Sequence, residues 1–419
     1  MNSHALERVA SVPRSSSALR RLIVASSIGN ALEWFDVVVY GYFAVSISKA
    51  FFPAGSDGVS ILLAYGTFGV SYLARPVGAL WLGAMADRVG RKFSMLISIA
   101  MMMVGTLLIA IMPTYAQIGL WAPAGILMAR LIQGVSAGGE FGSSTALLVE
   151  NDPRRRGFIA SFQFASQGFV TVIASVFGLT LSLLLTHQQV DDWGWRLPFL
   201  FGLLVGPVGL YIRTHVDEGA EFKSATRERS PVKEVALNQK TNVALAVGAL
   251  IVSTVAAHVI MYMPVFAVKH LHLPSSSAFT ANLIAGIVLT LGTPIVGILS
   301  DRVGRTRLMV IAAILFAVTI VPAFFLLKTF VGVWMLIGVM FWPATLKAMY
   351  YGALPALMAE AFPPETRATG MSLSYNIGTT IFGGFTPFIV SIIGLYAASD
   401  VASAVYMVPC ALLSLAATL

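Results

Sequence analysis

The chain has 419 residues, 57% hydrophobic and 11% charged, with a formal net charge of +8 and a mean hydropathy of +0.82. A soluble domain carries about a quarter charged residues, so a water-soluble core is excluded, and no alternating strand-like segments of a membrane β-barrel are present. The single cysteine, Cys410, excludes an internal disulfide and a cysteine metal cluster.

Residues 1–21 are polar, with four arginines and no separate apolar stretch. This predicts a cytoplasmic N-terminal tail and argues against a cleaved signal peptide. Apolar runs of roughly 18–30 residues follow, each long enough for about 30 Å of hydrocarbon. They lie near 22–47, 59–83, 94–112, 117–148, 158–184 and 194–212. A polar linker, 213–242, separates them from a second set near 243–268, 276–299, 308–327, 331–359, 369–395 and 401–419. The fold class is therefore an all-α polytopic membrane protein: twelve transmembrane helices in two pseudo-symmetric six-helix halves, 22–212 and 243–419, with the chain ending inside helix 12. With the N-terminus inside, the inward segments carry 20 of the 27 Lys/Arg and the outward ones four. That asymmetry fits the positive-inside rule, predicts a multi-pass protein with a cytoplasmic N-terminus, and assigns the pI of 9.6 to loops beside anionic lipid, not to nucleic acid.

The halves repeat. GAMADRVGRK, Gly83 to Lys92, follows span 2, and GILSDRVGRTR, Gly297 to Arg307, follows span 8. An acid, a proline, an arginine and a glycine recur after span 4 (Glu150 to Gly157) and span 10 (Glu360 to Gly370). In the first loop Asp87 can accept from backbone N–H groups at a helix N-terminus and pair with Arg88 or Arg91, while Gly83 and Gly90 permit close approach and a tight turn. Asp301, Arg302 and Arg305 occupy the matching places in the second loop. Glu150 with Arg154–Arg156, and Glu360 with Arg367, can supplement them.

Charges inside spans cost at least ~2.5–3.5 kcal/mol each on insertion scales, so each needs a use. Glu33 and Asp36 lie in span 1, where Gly29, Glu33, Asp36 and Tyr40 share one helical face. Tyr40 can donate to the Asp36 carboxylate. Arg130 in span 4 is the expected counter-charge, and Glu140, lower in span 4, is expected to pair with Arg75 in span 2. A carboxylate facing Arg130 stays ionised; away from it, in a dry cavity, it takes a proton. Lys347 in span 10 can bind an anion, make a salt bridge or snorkel. His258, Gln163, Gln167, Tyr375 and Asn376 are further candidate substrate contacts, each balanced by a reading as helix–helix glue. His270 and His272, at the loop between spans 7 and 8, read as surface residues and not as a metal site.

The chain resembles the major facilitator superfamily, in its metabolite:H⁺ symporter branch. The resemblance rests on Gly29-Asn30 with Glu33-Trp34-Phe35-Asp36, Arg75-Pro76-Val77-Gly78, the doubled D-R-V-G-R loops, Arg130-Leu-Ile-Gln133-Gly134, Gly138-Gly139-Glu140-Phe141-Gly142, Trp193-Gly194-Trp195-Arg196, Tyr375-Asn376 and Phe382-Gly383-Gly384. It implies that the duplicated loops clamp the two halves on the cytoplasmic side, and that the arginine of the R-x-x-Q-G motif takes part in proton coupling. The branch includes permeases for citrate, α-ketoglutarate and shikimate, and for proline and betaine.

The resulting expectation is a monomeric proton-coupled symporter importing a small organic acid of the citrate or dicarboxylate type across a bacterial inner membrane, with no cofactor, metal or nucleic-acid partner. Proton coupling falls to Asp36, Glu33, Arg130 and Glu140. Substrate binding falls to Lys347, Tyr40, Gln163, Gln167, His258, Tyr375, Asn376 and Arg75. A zwitterion such as proline or betaine is the alternative, with Trp34, Tyr40 and Tyr262 as a candidate aromatic cage. A passive channel would not need duplicated clamps, a sensor would carry an added domain, an ATP-driven pump would carry a P-loop, and an enzyme would need a nucleophile–base set or metal ligands.

Overall fold

The computed structural model describes residues 16–89, 91–138, 140–214, 231–397 and 401–419, and their regular structure is entirely helical. Residues 1–15 of the expected tail, 215–230 of the linker, and Gly90 lie outside the described residues. The first half runs α1 (Ser16–Tyr42), α2 (Ala44–Phe51), α3 (Asp57–Leu73), α4 (Arg75–Arg88), α5 (Arg91–Ile111), α6 (Tyr115–Ile118), α7 (Trp121–Ala137), α8 (Glu140–Asn151), α9 (Arg156–Leu184), α10 (His187–Gln189) and, after a wide π-type turn at Val190–Gly194, α11 (Arg196–Thr214). The second half runs α12 (Pro231–Asn238), α13 (Lys240–Lys269), α14 (Ser275–Val303), α15 (Arg305–Thr329), α16 (Val333–Glu360) and α17 (Arg367–Gly378); a π-type turn at Thr379–Gly384 leads to α18 (Thr386–Ala397) and α19 (Ala402–Thr418).

Among the described residues, seven helical segments are long and apolar enough to cross a bilayer by length and composition. The other expected spans are interrupted, or shorter in their apolar part. The second span breaks at Ala74, between α3 and α4, and the cause is local. Pro76 has no N–H to give the Tyr72 carbonyl four residues back. Thr380, from the other half, donates to that carbonyl instead, at 2.9 Å. The fourth span breaks between α7 and α8, where the Gly138 carbonyl accepts from Asn376 Nδ2 at 2.5 Å. Both breaks in the first half are thus satisfied by side chains of the second, as backbone polar groups in hydrocarbon must be.

The halves meet most closely along α9 and α14, which run antiparallel. A Cβ on Gly157 would lie 2.7 Å from the Gly297 carbonyl oxygen, and one on Gly297 would lie 2.8 Å from the Gly157 oxygen. Further along, a Cβ on Gly168 would meet Thr290 N at 2.6 Å. Small residues let the backbones touch, which supplies packing where lipid gives no hydrophobic drive.

At the end carrying the duplicated loops, here the motif end, the halves are latched by charge. Asp301 accepts from the backbone N–H groups of Gly157 (2.8 Å) and Phe158 (3.0 Å), capping the start of α9, whose own N-cap Arg155 gives no side-chain cap. The helix that Asp301 caps belongs to the opposite half. Gly304 makes the turn after α14 at φ +102°, a conformation that suits glycine. The paired acids and arginines exchange partners relative to the expectation. Glu150 pairs with Arg367 at 3.0 Å, while Glu360 pairs with Arg305 at 3.0 Å and Arg156 at 3.7 Å. Each acid reaches an arginine of the other half, because the arginine that follows it in sequence reaches across to the opposite acid. Arg305 also holds Asp301, at 3.2 Å. Arg302 is exposed and joins none of these pairs. Gly83, Asp87 and Arg88 lie at the end of α4 and Arg91 opens α5; their side-chain contacts are outside the described residues.

The opposite end is also closed. Lys269 donates to Asp57 at 2.5 Å between α13 and α3. That contact holds the Asp57 carboxyl below its ordinary range, so the latch persists at neutral pH and is lost as pH falls through the depressed value. Its exposure leaves it weak. Phe279 packs on Tyr42 and Phe43, and Tyr65 on Tyr262.

The crossed ion pairs give a direct test. Glu150→Arg and Arg367→Glu should each lower the melting temperature in detergent, by placing like charges together. The double swap should recover most of the loss. Additive losses in the double swap would mean that the two side chains do not meet.

Candidate functional site

The two carboxylates of α1 each have partners on neighbouring helices. Glu33 forms an ion pair with Arg75 Nη2 at 3.1 Å, and both side chains are buried. The Arg75 guanidinium also lies over the Tyr72 ring, 4.2 Å from its centroid. Arg75 therefore takes a carboxylate from α1, a partner that the spacing along the chain had not singled out. Glu140 opens α8, and its side chain is outside the described residues.

Asp36 lies one turn further and does not contact Arg130 directly. Its Oδ2 accepts from Gln133 Nε2 at 2.8 Å and from the Thr106 hydroxyl. Gln133 Oε1 in turn accepts from Arg130 Nη1 at 2.8 Å. One amide thus separates the carboxylate from the guanidinium and fixes the orientation of both. Arg130 stacks on Tyr40, 3.7 Å from the ring centroid, with Phe68, itself stacked on Tyr40, at 5.4 Å. Tyr40 donates to the Ala64 carbonyl at 3.2 Å, not to Asp36 as its place on the α1 face suggested. Arg130 Nε and Nη2 are buried without a hydrogen-bond partner.

On the second half, Lys347 is buried in α16 with Nζ 4.6 Å from the Tyr351 ring centroid. It makes no hydrogen bond or ion pair with any described residue, and its burial leaves no snorkelling head; among the described residues the expected salt bridge is absent. Tyr351 stacks on Phe164 at 3.9 Å and donates to Gln167 Oε1 at 3.4 Å, joining the halves. His258 bonds the Thr254 carbonyl through Nδ1 (2.8 Å) and the Tyr72 hydroxyl through Nε2 (3.1 Å). A carbonyl can only accept, so Nδ1 carries the proton and Tyr72 donates to Nε2. Arg75, Tyr72 and His258 therefore form one chain across the interface.

Three other candidates hold helices together. Gln163 donates to Ser144 at 3.2 Å, and its backbone carbonyl accepts from Asn30 at 2.7 Å. Asn376 spends its amide on the Gly138 and Ser372 carbonyls. Tyr375 stacks on Phe141 with centroids 3.7 Å apart. Four contributors were missed as such. Gln133 stood in the motif beside Arg130, Tyr351 lies one turn after Lys347, and Tyr72 lies three residues before Arg75; each spacing could have flagged the pairing. Thr106 sits in a methionine-rich apolar run that gives no signal.

Comparison with known proteins follows the same pattern. The sequence model of the Major Facilitator Superfamily matches residues 27–387 and 280–419. The citrate-proton symporter of Klebsiella pneumoniae is 35% identical over 401 residues, covering 94% of this chain and 90% of that protein. The α-ketoglutarate permease of Escherichia coli K12 is 35% identical over 388 residues, covering 90% and 88%. The proline/betaine transporter of the same organism is 31% identical over 392 residues, covering 88% and 76%. Among solved structures, the partially occluded inward-open conformation of the E. coli xylose transporter XylE superposes with a TM-score of 0.77 at 16% identity, covering 96% of this chain and 97% of that one; at that identity the likeness is one of fold.

The buried Glu33–Arg75 pair should behave asymmetrically. Arg75→Leu removes the ion-pair partner of a buried carboxylate and should cost about 3–5 kcal/mol, with a matching loss of folded protein. Glu33→Gln combined with Arg75→Gln should fold better than Arg75→Leu, judged by size-exclusion profile and melting temperature. Equal damage in both would assign the loss to packing and not to the unpaired charge.

Proposed function

The chain belongs to the major facilitator superfamily, a multi-pass membrane transporter and not an enzyme, and from that premise we propose that it imports a small organic acid with protons across a bacterial inner membrane. Its N-terminus and motif end face the cytoplasm, as the Lys/Arg asymmetry supports. The crossed pairs Glu150–Arg367 and Glu360–Arg156, together with Asp301, act as a cytoplasmic gate that opens when the halves rock apart. The observation carrying the substrate class is Lys347. A buried ammonium over an aromatic ring, with no carboxylate beside it among the described residues, calls for an anion from outside the chain. Arg130, with Nε and Nη2 unbonded, presents the planar edge that suits a carboxylate.

Relatives of nearly equal identity carry citrate, α-ketoglutarate or proline and betaine, so names alone do not choose. The aromatic-cage alternative is weakened by prior occupancy. The Tyr40 face holds Arg130 and the Trp34 ring packs against His258. The Tyr40 face is therefore not free for a quaternary ammonium.

Uptake of radiolabelled citrate, α-ketoglutarate, proline and betaine should be compared in proteoliposomes with and without a protonophore. Accumulation of at least one acid, abolished by the protonophore, is expected. Lys347→Gln should raise its KM about tenfold or more, equivalent to ~1.4 kcal/mol, and Lys347→Arg should raise it much less. Protonophore-sensitive accumulation of betaine or proline with no acid uptake would replace this reading by the zwitterion one.

A further inference from the structure

The two oxygens of Asp36 are not equivalent. Oδ2 is held by Gln133 and Thr106. Oδ1 accepts no hydrogen bond from a described residue. It faces Gly202 of α11, where an added Cβ would lie 3.2 Å away. The absence of a side chain at Gly202 leaves Asp36 open on that side.

The open side is a cavity of about 40 Å³ lined from α1, α5, α7 and α11, with Glu33, Asp36, Ser98, Thr106, Ser136 and Gly202 among its walls. A water needs ~10–15 Å³ of such space and several polar partners, so roughly three fit. All lining residues lie between Gly29 and Gly206, and the second half contributes none. The cavity also has a direction. Gly29, Ser98 and Ser136 are each displaced from the level of Asp36 toward the motif end, where α5 begins and toward which α7 and α8 run. The start of α1 lies at the same end, with Leu19 and Ile23 packed against Ile159 of α9 and Leu148 of α8.

We propose that Asp36 Oδ1 is the atom that gains and loses the transported proton, and that water in this cavity delivers it from the motif end through the interior of the first half, apart from the substrate path between the halves. A hydronium in the cavity gives its proton to Oδ1 and leaves as water, and the reverse step releases it. The charged and polar groups facing the site are few. Among the described residues, Glu33, on the same helix, is paired with Arg75 of α4; Gln133 of α7 carries the influence of Arg130 and α7 adds Ser136; α5 contributes Thr106 and Ser98, and α11 adds Gly202 without a polar side chain. Gln133 and Thr106 therefore orient the carboxylate through Oδ2 while Oδ1 exchanges. This rests on the proton-coupled reading above, but it concerns the proton route alone.

The test fills the cavity at Gly202. In the full-length protein in proteoliposomes, the carboxylic C=O band that Asp36→Asn removes is followed by infrared spectroscopy after a pH jump, without substrate. Gly202→Val should slow its appearance about tenfold or more, and Gly202→Ala, whose methyl is 3.2 Å from Oδ1, should slow it less. In parallel, the ratio of pH-gradient-driven citrate accumulation to citrate exchange at equal pH should fall in the same order. Protonation at the wild-type rate in both variants, or no Asp36 band at any tolerated pH, would overturn the proposal. Should Gly202→Val fail to fold, Gly202→Ala decides by the same criterion. A slowed Asp36 band in a protein that carries no acid would sustain the proton route and defeat the acid reading instead.

Discussion

Charge held inside hydrocarbon must be matched within the bundle, and this constraint organises the structure. Two acids on α1 would be prohibitive on an isolated span. They are tolerable because α4 supplies Arg75 to Glu33, while α5 and α7 supply Thr106 and Gln133 to Asp36. These contacts fix the rotation of α1 about its axis and draw α4, α5 and α7 around it. The helical breaks obey the same rule for backbone groups: the Tyr72 and Gly138 carbonyls are satisfied from the second half by Thr380 and Asn376. Structure and polarity are therefore tied across the interface that a transporter must open and close.

That interface is closed at both ends. At the motif end the bonds are ionic and reciprocal. At the opposite end one exposed ion pair accompanies aromatic packing around Phe279 and Tyr262. The antiparallel contact of α9 and α14 lies between, with glycine facing backbone at Gly157, Gly168 and Gly297. A seam of small residues can pivot without unfolding either helix, since it involves surfaces in contact and few directional bonds. The ends carry the ion pairs between the halves, while hydrogen bonds from Thr380, Asn376, Tyr351 and His258 cross between them.

The twelve-span architecture was legible in the sequence because hydropathy and loop charge are properties of the chain itself. Helix interruptions were less so, although Pro76 marked one of them. At the site, burial of Glu33, Asp36, Arg75, Arg130 and Lys347 followed from their place in apolar runs, but their partners did not. Arg75 had two acids within reach of a linear argument, Glu33 and Glu140, and its pairing with Glu33 depends on rotation about the helix axes, which a linear argument does not carry. The crossed partners of Glu150 and Glu360 were hidden for a related reason: a repeat shows which residues correspond, not which half each one reaches toward. Thr106 was illegible because a hydroxyl in an apolar run becomes meaningful only when a neighbouring helix brings a carboxylate to it.

The separation of Asp36 from Arg130 by Gln133 bears on how a substrate and a proton become linked. In a direct ion pair, the guanidinium would compensate the carboxylate in full, and protonation would require breaking the pair. With an amide between them, Arg130 influences Asp36 through the position of one side chain that bonds both. A carboxylate ligand engaging the free Nε and Nη2 edge of Arg130 would compete for its charge and shift Nη1 relative to Gln133. The Gln133 amide would follow, and with it the donor to Asp36 Oδ2. Small displacements at Arg130 thus reach the Asp36 carboxylate through two hydrogen bonds, while Oδ1 stays open to its own water-sized space. Coupling by this route needs no contact between substrate and proton, only that both act on the same short chain of side chains on α7.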